Sequence, residues 1–231
     1  MKSLFLVLFA IASFSAHTFG QTIINSIPYF ISTPGTYLVG SNLVYPSATG
    51  DAITIVISNV TLDLGGHFLV NSGHPSSTIG VHAHNAENIT IQNGVIVGFT
   101  HGVYFNYTGG TTVNSGNIVQ NLRFTNNTIG ITLFSATASI IRNNQFVGPG
   151  SSVASTGIDI EGGSGNLVTG NVVSGFGVCV FAEGGNYFLQ NMVSNAVIGF
   201  DLSGTDKYRF NTTFNCTASF DGGTALNAEN N

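Results

Sequence analysis

Charged side chains are scarce in this sequence. Asp, Glu, Lys and Arg together make up 6% of its 231 residues, against about a quarter in a typical soluble domain. Only five residues are Lys or Arg, and the net charge is −5, so the chain cannot form the basic surface that binds a phosphate backbone. Nucleic acid is therefore excluded as a partner, and solubility has to come from Asn, Ser, Thr and Gly.

Long apolar runs are also missing, except near the N-terminus. Residues 1–20 have the pattern of a secretory signal peptide, with Lys2 as the positive start, an apolar run over 4–12 and small residues around Phe19. The run is shorter than the roughly 20 residues that span a bilayer. We predict a cleaved signal peptide over 1–20, no membrane span after its cleavage, and a secreted or extracytoplasmic protein (periplasm, cell surface or extracellular).

Helical periodicity is absent as well. Instead, a glycine followed by alternating apolar and polar residues recurs at intervals of about 20 to 30 residues, a period typical of solenoids. The opening glycines are Gly80, Gly102, Gly130, Gly157, Gly177 and Gly199. Because side chains alternate between the two faces of a strand, the apolar residues one and three positions after each glycine point inward. Those two and four positions after it point outward.

A second column consists of asparagines, which tolerate left-handed backbone at bends and can bond to one another along a stack. Its members are Asn144, Asn171, Asn191 and Asn211. We interpret this column as structural. The fold class that follows is all-β, a single-domain right-handed parallel β-helix of about seven coils over residues 51–231. Residues 21–50 read as an irregular N-terminal cap, which the first coil of a solenoid needs.

The outward positions carry the side chains that can take part in binding or catalysis. Position two reads His82, Tyr104, Thr132, Asp159, Cys179, Asp201, and position four reads His84, Asn106, Phe134, Glu161, Phe181, Ser203. Aromatic rings beside carboxylates suit sugars, whose C–H faces stack while their hydroxyls form hydrogen bonds. The residues predicted to bind substrate are Tyr104, Asn106, Phe134, Phe181 and Asp201.

Two pairs on this face are candidate catalytic groups. Asp159 and Glu161 lie two residues apart on one strand, about 7 Å, which suits the acid and base of an inverting glycosidase. His82 and His84 are also neighbours, and such a pair can act as acid and base or bind a metal ion. We predict these four residues to be catalytic, with a solvated polar face as the alternative for each pair.

A metal site is not predicted. A third ligand beside the two histidines would have to come from an adjacent coil, and the register neighbours Thr54 and Tyr104 are not typical ligands. The cofactor is therefore unknown; calcium is conceivable, but no motif indicates it.

Cysteine is scarce too. The chain has two, Cys179 and Cys216, and a pair in a secreted protein invites a disulfide. The predicted register places Cys179 outward on a first strand and Cys216 beyond the asparagine column of the next coil. This placement disfavours a bridge but does not settle the geometry that one requires.

Three segments near the N-terminus resemble secreted bacterial right-handed parallel β-helix repeat proteins of the pectin-lyase-like superfamily. They are residues 34–43 (PGTYLVGSNL), 59–69 (NVTLDLGGHFL) and 88–99 (NITIQNGVIVGF), and residues 206–231 look like the last coil of these proteins. The resemblance implies the β-helix fold and extracellular polysaccharide as the partner to test. Relatives with this fold include polysaccharide lyases, hydrolases and uronate epimerases, besides proteins without assigned activity.

The catalytic motifs of that superfamily are missing. The sequence lacks the Asn-Thr-Asp, Asp-Asp, Gly-His-Gly and Arg-Ile-Lys motifs of polygalacturonase-type hydrolases and the Asp-Pro-His motif of alginate epimerases. The three arginines, Arg123, Arg142 and Arg209, lie away from any run of acids, unlike the basic residue beside the calcium site of pectate lyases. The resemblance thus implies a fold and a substrate class without a site.

Three hypotheses for the function stay open at this point. The first is a secreted protein that associates with extracellular polysaccharide and processes it as a lyase, hydrolase or epimerase through the outer face. The second is a non-catalytic module that binds glycans. The third is a purely structural solenoid in adhesion or the cell envelope. Whether the protein is an enzyme, which sugar it meets and its oligomeric state are not determined by the sequence.

Overall fold

The computed structural model of the protein describes residues 20–73, 76–109, 114–152 and 154–226. These residues form nineteen β-strands and no helix, and the strands stack into a parallel β-solenoid of about eight turns. The strands are β1 Thr22–Ile24, β2 Tyr29–Ile31, β3 Gly35–Val39, β4 Leu43–Tyr45, β5 Thr49–Ile55, β6 Val60–Asp63, β7 Phe68–Asn71, β8 Ser77–His84, β9 Ile89–Val97, β10 His101–Asn106, β11 Ile118–Thr125, β12 Ile129–Phe134, β13 Ile140–Arg142, β14 Gln145–Val147, β15 Thr156–Thr169, β16 Val172–Ser174, β17 Val178–Leu189, β18 Met192–Arg209 and β19 Thr212–Ala225. The predicted all-β parallel β-helix is confirmed, with about eight turns instead of about seven.

The core follows from the alternation of apolar and polar residues. In β6, for example, Val60 and Leu62 are buried while Thr61 and Asp63 face outward. Aromatic side chains stack from coil to coil inside the solenoid, as Phe124 and Phe146 do at 4.6 Å between ring centroids. Burial of such columns, coil by coil, is the main source of stability in a solenoid.

A column of small residues lines the start of each first strand. A Cβ atom at Gly130 would lie 2.4 Å from the carbonyl oxygen of Gly157, and one at Gly102 would lie 2.6 Å from that of Gly130. The backbones of neighbouring coils therefore approach too closely there for most side chains, which is why glycine recurs in the sequence.

The predicted asparagine column forms a continuous ladder. Each amide donates to the side-chain oxygen of the next coil, from Asn144 to Asn171 at 3.1 Å, on to Asn191 at 3.0 Å and on to Asn211 at 2.9 Å. The same oxygens also accept backbone N–H groups, for example from Asn144 to Asn171 at 3.0 Å. The ladder satisfies backbone groups buried at the bends, so its structural role is confirmed.

A second ladder of buried polar side chains was not predicted from the sequence. Asn166 donates to Asn186 at 2.9 Å, and Asn186 donates to Asp206 at 3.0 Å. Asp206 is fully buried, and its other carboxylate oxygen accepts the backbone N–H and the hydroxyl of Ser203 at 2.9 and 2.7 Å. The backbone N–H of Asn186 also donates to the first carboxylate oxygen at 2.8 Å, so the carboxylate ends the ladder with four donors around it.

The N-terminal segment differs from the irregular cap that was predicted over 21–50. It holds β1 to β4, and β2, β3 and β4 pair in parallel with β5, β6 and β7 of the next coil. Short apolar stretches such as Leu43–Tyr45 alternate well enough to join the stack, so the expectation of irregular structure is wrong. Because β1 pairs in parallel with β3, the segment contributes more than one turn to the start of the stack, and its capping role stays a prediction. Residues 1–19 of the predicted signal peptide lie outside the described residues.

Two further features concern membrane insertion and disulfide formation. Within the described ranges, no helix is long and apolar enough to cross a bilayer. Cys179 and Cys216 are both free thiols. Cys179 is fully buried, so its predicted outward position is wrong, and burial raises the pKa of its thiol to about 12.

Candidate functional site

Two columns of outward side chains run along one sheet of the solenoid. The first outer column consists of Phe30, Thr54, His82, Tyr104, Thr132, Asp159, Phe181, Asp201 and Asp221. The second outer column holds the residues two positions further along: His84 pairs with Asn106 and Phe134 with Glu161, and Glu183 and Ser203 hold the same position after Phe181 and Asp201. Together we call them the outer face. All nine residues predicted as catalytic or substrate-binding lie on it, which confirms their common direction and leaves their roles untested.

The predicted register slips by two residues at one coil. Thr156 pairs with Val178 and Ile158 with Val180, so Cys179, not Gly177, occupies the place of the opening glycine. Cys179 therefore lies in the column of close backbone approach, which explains its burial. As a consequence Phe181 belongs to the first outer column, directly between Asp159 and Asp201, and Glu183 lines the same pocket as Glu161.

The first outer column is less solvated than an open sheet face would be. His82 and Asp159 are each only 7% exposed to solvent and Thr132 is 3% exposed, although their side chains point away from the core. Large neighbours cover them, since the ring of His82 lies between those of His84 and Tyr104. The alternative of a merely solvated face does not describe these side chains.

The histidines form a compact cluster with a carboxylate that sequence reasoning missed. The ring centroids of His82 and His84 are 3.6 Å apart, and Nδ1 of His82 lies 2.7 Å from Oδ2 of Asp51. Asp51 lies three residues before Thr54 on β5 and pairs with Ile79, so it reaches His82 diagonally rather than along a column. The donor atoms of Asp51, His82 and His84 all lie within 4.8 Å of one another.

Protonation in this cluster is shaped by burial. Burial lowers the pKa of His84, the proximity of His82 lowers it further, and Asp51 partly offsets both. Burial and His82 also lower the pKa of His101, whose ring stacks on Tyr104 at 5.0 Å. Both effects favour neutral imidazoles at neutral pH. Nε2 of His82 is buried and has no hydrogen-bond partner.

Carboxylates gather further along the outer face. Burial raises the pKa of Asp159 to about 7, and the neighbouring charges of Glu161 and Glu183 contribute to the shift. Oδ1 of Asp159 is buried without a hydrogen-bond partner. Burial, with Glu161 and Asp159 as further causes, raises the pKa of Tyr104. A carboxyl group with a pKa near 7 keeps part of its population protonated at neutral pH, which suits a general acid.

A shallow pocket opens beside this carboxyl group. It has a volume of about 360 Å³ and is lined by Phe134, Ser135, Glu161, Gly162, Phe181 and Glu183. Two aromatic rings and two carboxylates therefore line the same open cavity. Asp201 lies one coil beyond Phe181, where burial and then Asp221 raise its pKa. Asn106 lies beside His84 at the other end of the face. The structure thus divides the predicted residues into a histidine group and an acidic group.

The sequence also matches a protein family over almost its whole length. Residues 20–230 match the family described as periplasmic copper-binding protein (NosD). The chain belongs to the NosD family. The description of this family as periplasmic agrees with the signal-peptide prediction, so the protein is extracytoplasmic. Among curated proteins, no relative matches the chain.

Solved structures similar to this NosD-family chain are also β-helix proteins. The Dettilon tailspike protein shares 19% identity over 79% of this chain, with a TM-score of 0.56. The chain spans only 39% of the length of that tailspike. The alginate lyase from Paenibacillus sp. str. FPU-7 shares 11% identity, and the alignment covers 90% of this chain and 93% of the lyase at a TM-score of 0.48. At these identities the likeness concerns the fold.

The family description raises the question of whether this chain offers a copper site. The cluster of Asp51, His82 and His84 supplies two imidazoles and one carboxylate, and imidazole nitrogens suit Cu(II), Zn(II) and Ni(II). Because Nδ1 of His82 is hydrogen-bonded to Asp51, the buried Nε2, which has no hydrogen-bond partner, presents a lone pair that a cation could bind. These residues therefore fit an ion of this class. His82 and His84 would hold it, and the ion would supply a positive charge at one end of the outer face.

Proposed function

We propose that the protein binds an extracytoplasmic polysaccharide along its outer face. The observation that carries this proposal is the open pocket in which Phe134 and Phe181 stand beside Glu161 and Glu183. Aromatic rings stack on the C–H faces of sugars, and carboxylates accept hydrogen bonds from their hydroxyls. Tyr104 and the histidines extend this surface over further coils, at about 4.8 Å per coil, so that several sugar units can lie along it.

The charge of the face favours one class of glycan. Five of the ten Asp and Glu residues of the chain lie on it, namely Asp159, Glu161, Glu183, Asp201 and Asp221. In the part of the chain that the structure describes, the Lys and Arg residues lie at strand positions outside the two outer columns. Such a face repels a polymer of uronates, because like charges at close range disfavour binding. The expected ligand is a neutral glycan or one with amino sugars.

A second candidate function is hydrolysis of that glycan, which the state of Asp159 favours. With a pKa of about 7, the protonated carboxyl group can donate its proton to the glycosidic oxygen as the bond to the anomeric carbon breaks. The carboxylate of Glu161 can take a proton from the water that attacks this carbon. The two residues lie about 7 Å apart along the strand, within the range of inverting enzymes.

Glycan binding can be tested by retention on immobilised polysaccharides of three classes: neutral, amino-sugar and polyuronate. We expect retention on one of the first two. Phe181→Ala and Phe134→Ala should each weaken it at least tenfold, because each removes a stacking ring. Phe68→Ala is the matched control, since Phe68 is 44% exposed and Phe134 is 37% exposed, but Phe68 lies on β7, away from the outer face. Equal retention of all three variants would contradict the proposal.

Hydrolysis needs a separate assay on the glycans that bind. Reducing ends and the absorbance of unsaturated uronates should be followed together, with and without calcium. New reducing ends without absorbance, abolished in Asp159→Asn, would support hydrolysis. New absorbance would indicate elimination and contradict it. Binding without either signal would leave the protein as a glycan-binding module.

A further inference from the structure

A second sheet of the solenoid exposes apolar side chains where the outer face exposes acidic ones. It consists of eight stacked strands or strand segments: β4, β7, residues 95–97 of β9, residues 123–125 of β11, β14, β16, residues 192–194 of β18 and residues 212–214 of β19. Its outward side chains form two columns. One column is Phe68, Val95, Arg123, Gln145, Val172, Met192 and Thr212, and the other is Val44, Val70, Val97, Thr125, Val147, Ser174, Ser194 and Phe214. We call these two columns the apolar face.

The apolar face is poorly suited to contact with water. Of the twelve large apolar side chains that are most exposed in the described residues, five lie on it, with exposures between 40% and 71%: Val44, Phe68, Val172, Met192 and Phe214. Neither column contains Asp or Glu, and its one charged residue is an arginine. Exposed apolar surface of this extent marks an interaction site, and so few charges favour a partner surface that is apolar itself.

The residues of this face follow a nearly palindromic order along the stack. Bulky apolar side chains occupy both ends, while Arg123 and Gln145 pair with each other on the fourth and fifth strands. If a second copy lies face to face with its stack reversed, the first strand of one copy lies opposite the eighth strand of the other. The pairs that this arrangement brings together are Val44 with Phe214, Phe68 with Met192, and Val95 with Val172.

The centre of the face decides the orientation. With the stack reversed, Arg123 of each copy lies opposite Gln145 of the other, whose amide oxygen can accept hydrogen bonds from the guanidinium. With both stacks in the same direction, the two copies of Arg123 would lie at the same level, and like charges at close range are unfavourable. The hydroxyls of Ser174 and Ser194 form a hydrogen bond with each other at 3.1 Å, so they tolerate an apolar neighbour.

We propose that the apolar face binds a second copy of this chain, in a two-fold dimer whose axis runs along the strands between β11 and β14. The two sheets would pack face to face about 10 Å apart, as in a β-sandwich. Each contact would occur twice, because such an interface is isologous. The outer face lies on other strands or strand segments, so the dimer makes no use of it. The inference therefore goes beyond the proposed glycan function and does not depend on it.

The apolar face is close to the size that a dimer requires. Eight strands at a spacing of about 4.8 Å extend over about 34 Å, and a three-residue strand with the bends beside it is about 15–20 Å wide. The product is about 500–700 Å² for each copy, against about 600–1,000 Å² for each partner of a stable interface. An area at the lower end of this range predicts a dissociation constant in the micromolar range.

The test is sedimentation equilibrium of the full chain over about 1–200 μM, the range in which a micromolar dimer dissociates. We expect a monomer–dimer equilibrium. Val95→Glu and Val172→Lys should each weaken the dimer at least about 30-fold, because each buries an unpaired charge against a valine. Combined in one chain, they should restore the affinity to within about tenfold, because each new carboxylate then faces an ammonium group of the other copy. Within one chain the two positions are three strands apart, about 14 Å, so a rescue has to come from pairing between copies.

The matched control is Ile23→Lys. Ile23 is 46% exposed and Val172 is 40% exposed, but Ile23 lies on β1, outside the apolar face, so the dissociation constant should change less than about threefold. Far-UV circular dichroism verifies that each variant is folded. A chain that stays monomeric over the whole range would overturn the proposal. A dimer that Val95→Glu leaves unchanged would overturn it as well, and so would weakened single variants that their combination does not rescue. Glycan retention measured below the dissociation constant concerns single chains, so the two tests are independent.

Discussion

The raised pKa of Asp159 predicts how the free energy of unfolding depends on pH. Its pKa is about 7 in the folded protein, against an ordinary value of 3.8. The folded state therefore binds the proton more tightly than the unfolded state does, and stability from this group falls as pH rises between about 4 and 7. The difference of about 3 pH units corresponds to at most about 4 kcal/mol at 1.4 kcal/mol per unit.

Asn is close to a protonated Asp in shape, so Asp159→Asn should be nearly neutral for stability at pH 4. At pH 8 the same variant should be more stable than the unmodified protein by about 2–4 kcal/mol, because it lacks the buried charge. In a chain of this size that is a rise in Tm of about 4–16 °C. Urea unfolding at pH 4, 5.5, 7 and 8, with thermal melts in parallel, measures the difference.

Asp201→Asn is the appropriate comparison, because Asp201 lies in the same column but is less buried. Its pKa is also raised, so its variant should show the same sign with a smaller amplitude. A stability difference between Asp159→Asn and the unmodified protein that does not change with pH would refute the reasoning. It would mean that the carboxyl group is satisfied in its charged form.

Further predictions concern the neighbours of this group and the core. Glu183→Gln should lower the pKa of Asp159, because it removes a nearby negative charge; the carboxyl carbon shift in an NMR titration measures this, and an unmoved midpoint would argue against the coupling. Asp206→Asn should destabilise the fold by about 1–3 kcal/mol, since an amide nitrogen would then face the N–H of Ser203; an unchanged urea midpoint would contradict it. Phe146→Ala should cost about 3–5 kcal/mol, because the ring is fully buried, and a loss below 1 kcal/mol would mean that the stack closes around the gap.

The fold was readable from the sequence because its causes are local. Glycine marks the points where backbones approach, and alternation marks the face of each strand. The slip at Cys179 shows the limit of this reading. A visible glycine, Gly177, lies two residues before the true equivalent, and only pairing between coils decides which residue joins the column. The slip placed Phe181 in the wrong column and hid Glu183.

The site was harder to predict than the fold because its contacts run diagonally. Asp51 reaches His82 across columns, so a search along the register found only Thr54 and Tyr104. The second polar ladder was missed for a related reason. Its members are not all asparagines, and the spacing of 20 residues between Asn166, Asn186 and Asp206 was the signal that could have found it.

The parallel pairing of the strands gives the outer face a head and a tail. From the N-terminal coil onward, a ligand along the stack meets His82, Tyr104, Thr132, Asp159, Phe181 and Asp201, in that order. A polysaccharide also has direction, with a reducing and a non-reducing end. Reversing the polymer changes which ring lies beside Asp159 and which bond points at it, so the two orientations are different complexes. If the proposed glycan complex forms, this surface would discriminate the direction of the glycan as well as the identity of its sugars.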